Sequence, residues 1–114
     1  MKVSLVKQQT IRKYARKHAE AKNSCLDWIY KVKNADWDKP DDMKHTFGSV
    51  DILGQGSQRA VFNIGGNNHR LICKYRFGEK VVRLFVHWIG THAEYTELCD
   101  KGEQYTAENF KNYT

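Results

Sequence analysis

The residues best equipped for chemistry fall between positions 59 and 95, and most of them are cations. Arg70, Lys74 and Arg76 share one parity, Arg83 and His87 share another, and Arg59 precedes them. His92 and Tyr95 close the stretch. Guanidinium and ammonium groups at alternate positions suit a polyanion, and arginine's planar fork can give two hydrogen bonds to one phosphate. Histidine titrates near neutrality, so it can accept or donate a proton at physiological pH. Nucleic acid, an acidic protein or an anionic surface would all fit such a face.

Strands must position these side chains. Ala60, Phe62 and Ile64 alternate with Arg59, Val61 and Asn63. Leu71, Cys73, Tyr75 and Phe77 alternate with Arg70, Ile72, Lys74 and Arg76. Val82, Leu84, Val86 and Trp88 alternate with Arg83, Phe85, His87 and Ile89. Gly65-Gly66-Asn67-Asn68 predicts a tight hairpin, because these residues accept positive φ. An antiparallel sheet covered on one side leaves its other side wet. The expected open face therefore carries Arg59, Arg70, Lys74, Arg76, Arg83 and His87. Gly90 ends the last strand in this reading. Thr91, with Glu94 three residues on, caps a short helix to about residue 98, and His92 and Tyr95 lie on one side of it.

The cover comes from the N-terminal third. Val3 and Leu5 alternate as a first short strand. Ile11, Tyr14, Ala15 and His18 form the stripe of a helix over 7–21. Arg12, Lys13, Arg16 and Lys17 flank that stripe, either as a solvated face or as an electrostatic contact with RNA or a ribosome-like surface. Asn23 and Ser24 break the chain. Ser24 and Asp27 then resemble a capping box for a second helix over 24–35, with Cys25, Leu26, Ile29 and Val32 inward. So short a connection predicts an antiparallel hairpin of helices, with Trp28 and Trp37 covering it or its junction with the sheet. Asp38 before Pro40 suggests one capped turn through Met43. Val50, Ile52 and Leu53 suggest another short strand. The glycines of 54–58 lack the Lys-Ser/Thr pair and helix of a phosphate loop.

Length and composition set the bounds. The chain has 114 residues and a mass of 13.3 kDa, which suits one domain. We place that domain at 1–99 and a polar tail at 100–114. Nineteen Lys and Arg against thirteen Asp and Glu give a net charge of +6, which calls for an anionic partner. Cys25, Cys73 and Cys99 form no CxxC pair, so neither a zinc clamp nor a redox pair is expected. No carboxylate or histidine pair has metal-ligand spacing, and no metal or other cofactor is expected. No run has the length of a membrane span and the N-terminus lacks a signal-peptide core, so a cytoplasmic protein without a membrane partner is expected.

Several stretches together resemble the HigB-type toxins of the RelE/ParE superfamily: ADW with KP after it, VFNIGGN, HRL and GTHAEY, spread over roughly residues 7 to 98. The resemblance implies an α+β, RelE-like fold: a small antiparallel-rich sheet on an N-terminal helix hairpin, with a short C-terminal helix. It implies the toxin of a type II toxin–antitoxin system, an endoribonuclease (mRNA interferase) acting on mRNA at the ribosome. Its implied partner is a HigA-like helix-turn-helix antitoxin, with operator DNA reached only through that antitoxin. Arg70 matches a strand arginine used at the scissile phosphate, and His92 matches a C-terminal catalytic histidine. Tyr95 lies near the position of a functional tyrosine. Lys74, Arg76, Arg59 and Arg83 are expected to bind RNA. His18, His45, His69 and His87 read as structural. The alternatives are a ParE-like gyrase inhibitor on the same fold, which would not need His92, and an RNA-binding module that does not cut.

Overall fold

The computed structural model describes residues 1–113; Thr114, the last residue of the expected tail, lies outside the described residues. The fold is α+β. Strands β1 (Lys2–Val6), β2 (Asp51–Ile52), β3 (Arg59–Ile64), β4 (His69–Phe77) and β5 (Val81–Thr91) form one sheet in the order β1-β5-β4-β3-β2. Neighbours from β2 to β5 run antiparallel, and β1 runs parallel to β5. Helices α1 (Gln8–Lys17) and α2 (Lys22–Lys33) pack on each other and against the sheet. A short α3 (Met43–Thr46) follows, and α4 (His92–Asp100) leaves the end of β5.

Strand parity fixes the core. Phe62, Leu71, Cys73, Val82, Leu84 and Val86 meet Ile11, Tyr14, Cys25, Ile29 and Val32 in one buried cluster. Each such side chain contributes roughly 1.5–3 kcal/mol when buried, so a one-residue slip in register would forfeit the set. Trp37 is buried and its indole N–H donates to Thr46 Oγ1 at 2.9 Å; Trp28 lies among Phe47 and Phe62. Both tryptophans thus line the junction of helices and sheet.

Several local expectations are corrected. The first helix stops at Lys17, not at 21, because His18 leaves the helical region (φ −128°, ψ 74°) and stacks its ring on Tyr14 at 4.0 Å. A 3-10 turn, Ala19–Ala21, leads directly into α2 at Lys22, so Ser24 sits inside the helix and caps nothing. At the connector the capping carboxylate is Asp42 rather than Asp38. Its Oδ2 accepts from the N–H groups of Asp38 (2.8 Å) and Lys39 (3.2 Å), which hold its pKa below the usual carboxylate range. Strand β5 continues through Gly90 to Thr91.

The largest correction concerns β5. Ile72 pairs with Trp88 but Cys73 pairs with Val86, leaving His87 as the extra residue of a β-bulge. A bulge inserts one residue and reverses the alternation beyond it. Ile89 therefore joins the helix-side core, while Trp88 emerges on the other face beside Val61 and Ile72. That face is only partly open. Tyr95 and Leu98 of α4, Leu53 and Ala107 of the tail cover the second apolar cluster.

The tail is docked. Strand β1 accompanies β5 only as far as Val6 opposite Phe85. Beyond that point Asn109 takes the edge. Its N–H donates to His87 O (2.8 Å), its Nδ2 to Ile89 O (2.7 Å), and its Oδ1 accepts from Ile89 N (2.9 Å). The described residues end in a 3-10 turn, Phe110–Tyr113, that places Tyr113 edge-on to Tyr14.

Candidate functional site

The hairpin turn at 65–68 holds one end of the candidate site. Gly65 and Gly66 both have positive φ (66° and 67°), which a side chain would strain. Asn67 accepts from the Arg70 guanidinium twice, through its main-chain oxygen at 3.2 Å and through Oδ1. His69 O takes a further bond from Arg70 at 3.0 Å. The next turn residue, Asn68, accepts the His92 N–H at 2.9 Å. One turn thus fixes both the arginine side chain and the first residue of α4. Arg70 is only 8% exposed. Two of its five N–H donors, Nε–H and one on Nη2, remain for a ligand.

Helix α4 is set by its cap: Thr91 Oγ1 accepts from Glu94 N, and Glu94 Oε1 accepts from Thr91 N at 2.8 Å. His92 is exposed at the first helical position, where the helix dipole favours anions. Tyr95, one turn on, is half-buried with its ring 6.2 Å from Trp88. Burial first, then a hydrogen bond with the Cys99 thiol, pushes its hydroxyl well above the ordinary value, while Arg70 pulls it down. Tyr95 is therefore a neutral donor. Opposite Arg70 in the ladder lies Gly90. A Cβ there would fall 2.5 Å from the Trp88 ring, so the close approach requires glycine.

The other end of the β4–β5 ladder is different. Lys74, Arg76 and Arg83 are exposed, and Arg76 stands directly across from Arg83. Like charges in register destabilise a sheet by up to about 1 kcal/mol. No carboxylate pairs with these three cations among the described residues. Beside them opens a cavity of about 440 Å³, lined by Gln58, Lys74, Arg76, Phe85 and His87.

Arg59, opposite Lys74 in the β3–β4 ladder, is buried at 4% exposure. Its Nη1 donates to Gln104 O (3.2 Å) and Ala107 O (2.8 Å) of the tail, so this part of the expected open face is covered. Its Nη2 approaches His87 Nδ1 at 3.4 Å, and Glu108 Oε1 lies 3.7 Å from the same nitrogen. Burial, then Arg59, lowers the His87 pKa and keeps the ring neutral near pH 7. The structure thus brings Arg70, His92 and Tyr95 to one end and Lys74, Arg76 and Arg83 to the other.

Sequence reasoning missed Asn67, read only as a turn former, and the place of His87 and Phe85 in the cavity beside Lys74 and Arg76. The HRL triplet gave no hint that Arg70 would be held from three residues upstream. Among the described residues no three His, Cys, Asp or Glu side chains group as metal ligands, and no helix is long and apolar enough to cross a membrane.

Comparison with known proteins is consistent across the chain. Residues 21–98 match the HigB toxin family, described as the RelE-like toxic component of a toxin–antitoxin system. A protein of Escherichia coli O6:H1 named mRNA interferase HigB is 36% identical over 85 residues, covering 74% of this chain and 77% of that one. The mRNA interferase HigB of Shigella flexneri is 25% identical over 91 residues, covering 80% and 86%. The docked tail lies beyond the family match.

Proposed function

The chain belongs to the HigB toxin family, the RelE-like toxic component of a toxin–antitoxin system, and from that premise we propose that it is a metal-independent endoribonuclease. It cleaves mRNA engaged with the ribosome and so inhibits translation. The observation that carries the reading is the single turn that holds Arg70 and His92 together, through Asn67 and Asn68.

The reaction uses the substrate's own 2′-hydroxyl. A base removes its proton, the 2′-oxygen bonds to phosphorus, and the bond from phosphorus to the 5′-oxygen breaks as an acid protonates that oxygen. The products are a 2′,3′-cyclic phosphate and a 5′-hydroxyl. Arg70 directs its remaining N–H groups at the crowded phosphorane, the kind of preorganised donor whose loss costs about 3–4 kcal/mol. His92 exchanges a proton with the reacting oxygens, a role typically contributing ~10²–10⁴-fold. Tyr95, neutral and half-buried, donates a hydrogen bond or stacks on a base. Lys74, Arg76 and Arg83 bind the strand leading away from the cut, and Arg59 adds its charge from beneath the tail. Lys74 lies four residues from Arg70 along β4, about 13 Å at strand rise, a span of a few nucleotides.

The partner is the cognate antitoxin, HigA-like with a helix-turn-helix domain, and operator DNA is met only through it. The site of action is the cytoplasm. The test is cleavage of a reporter mRNA in a reconstituted translation mixture supplied with the purified chain, with analysis of the new ends. Cyclic phosphate ends that disappear in His92→Ala support the reading. Cleavage at the wild-type rate in both His92→Ala and Arg70→Ala would sink it.

A further inference from the structure

Phe85 stands apart from the other phenylalanines. Phe47, Phe62, Phe77 and Phe110 each have an aromatic neighbour. Among the described residues Phe85 has none, and its half-buried ring belongs to neither apolar cluster. It lines instead the cavity of about 440 Å³ at the Arg83 end of the sheet, directly across the ladder from Lys74. A ring left out of both cores gains little from folding alone, yet it offers a flat apolar face among cations. Two polar side chains share the cavity. The Arg59 guanidinium, which can only donate, meets His87 at Nδ1 (3.4 Å), so the neutral imidazole carries its proton on Nε2. That N–H has no partner among the described residues. Gln58 holds a positive φ of 55°, a strained conformation for a residue with a side chain. Its main-chain oxygen accepts from Tyr75 N at 2.8 Å, while its side chain is exposed at the cavity.

We propose that this cavity is a subsite for one unpaired purine of the RNA strand: the base stacks on Phe85, its N7 edge meets the Gln58 amide and the His87 Nε2–H, and Lys74 and Arg76 hold the flanking phosphates. The proposal rests on the RNA-cleaving reading for its ligand, and it adds base selectivity at a distance from the cut. Aromatic rings hold unpaired bases by stacking, whatever the base. The two hydrogen-bonding groups then choose: a purine presents N7 as an acceptor, and a pyrimidine has no such atom. Duplex RNA keeps its base faces stacked and cannot use the ring. Phosphate contacts alone would explain the cations but neither Phe85 nor Gln58.

The experiment measures binding of short ribose-phosphate strands, 2′-O-methylated so that they cannot be cut, to the purified full chain. The strands are abasic except at one central position, which carries guanine, 7-deazaguanine, uracil or no base. The wild-type chain is expected to bind the guanine strand about tenfold more tightly than the abasic one. Phe85→Ala is expected to abolish that gain, and Phe85→Trp to keep it. The 7-deaza strand should bind more weakly than the guanine strand to the wild-type chain but equally well to Gln58→Ala. Lys74→Ala should weaken all four strands alike, and thermal melts report the fold of each variant. The proposal is overturned if the wild-type chain binds the guanine and abasic strands within about twofold of each other. It is also overturned if the gain survives in Phe85→Ala, or if uracil serves as well as guanine. Should the gain depend on Phe85 while the chain cuts no mRNA in the translation mixture, the nuclease reading fails and the subsite stands.

Discussion

The two ends of the β4–β5 ladder use the same residue types and build them in opposite ways. At the Arg70 end the cation is buried, held by three acceptors and set beside a capped helix terminus. At the Arg83 end the cations are exposed, unpaired and placed across from one another. Ordering a guanidinium in a fixed direction suits stabilising charge that develops at one point. Clustering mobile cations suits holding a polyanion whose phosphates need not be met in one geometry. On the proposed nuclease reading the difference separates a site for chemistry from a surface for binding, although alternation alone would class all these residues together.

The comparison breaks most visibly if the ends are interchangeable. Arg70→Ala is expected to slow single-turnover cleavage by ~10²–10³-fold with little change in RNA affinity. Asn67→Ala, which removes one of the three acceptors that hold the guanidinium, should slow it by about tenfold, the worth of one hydrogen bond near 1.4 kcal/mol. A larger effect on affinity than on rate in either variant would erase the distinction.

Next in size is the strap that parts the two ends. Asn109→Ala removes both side-chain bonds to Ile89 and leaves its main-chain groups unpaired, at a cost of about 1–3 kcal/mol. The thermal midpoint should fall accordingly. An unchanged melt would mean that the tail merely rests on the sheet.

A smaller effect has two opposite signs. Arg83→Ala relieves the repulsion with Arg76 and should stabilise the fold by roughly 0.2–1 kcal/mol. It should also weaken RNA binding and lower the salt slope by about 0.7. Loss of stability in chemical denaturation would show that Arg76 and Arg83 are not in conflict.

The shallowest expected effect is on pH. Burial lowers the pKa of both His69 and His87 below the ordinary value of 6.5. The unfolded chain then takes up protons first as pH falls. Stability from these two groups is present above about pH 6.5 and is lost below it as pH descends through the folded-state values. His69→Gln should flatten that acid-side slope in denaturant midpoints measured from pH 8 to 5. An unaltered slope would place the sensitivity elsewhere.

Much of this architecture was legible from spacing. The parity of β3 and β4 holds from Arg59 to Phe77, because a face that buries Phe62, Leu71 and Cys73 tolerates no slip. The Thr91–Glu94 cap was readable as a local pair, and Arg70, His92 and Tyr95 were marked by the motifs around them. The groove between α1 and α2 and the grip of Asn67 were not readable, since each depends on how the chain packs rather than on spacing alone.

Sequence by itself determined the periodicities: which residues of β3 and β4 face the core, most of the two helix stripes (Leu26, expected inward, is exposed, and Trp28 is buried instead), where the tight turn falls, and that the chain carries an excess of cations. These are local, set by side-chain volume, polarity and backbone freedom. Tertiary structure alone decided that His87 bulges and turns Trp88 outward, that β1 lies parallel to β5 and stops at Val6, and that Asn109 then occupies the vacated edge. Those outcomes follow from competition for unsatisfied backbone groups at a sheet edge, and no single stretch of the chain contains both competitors.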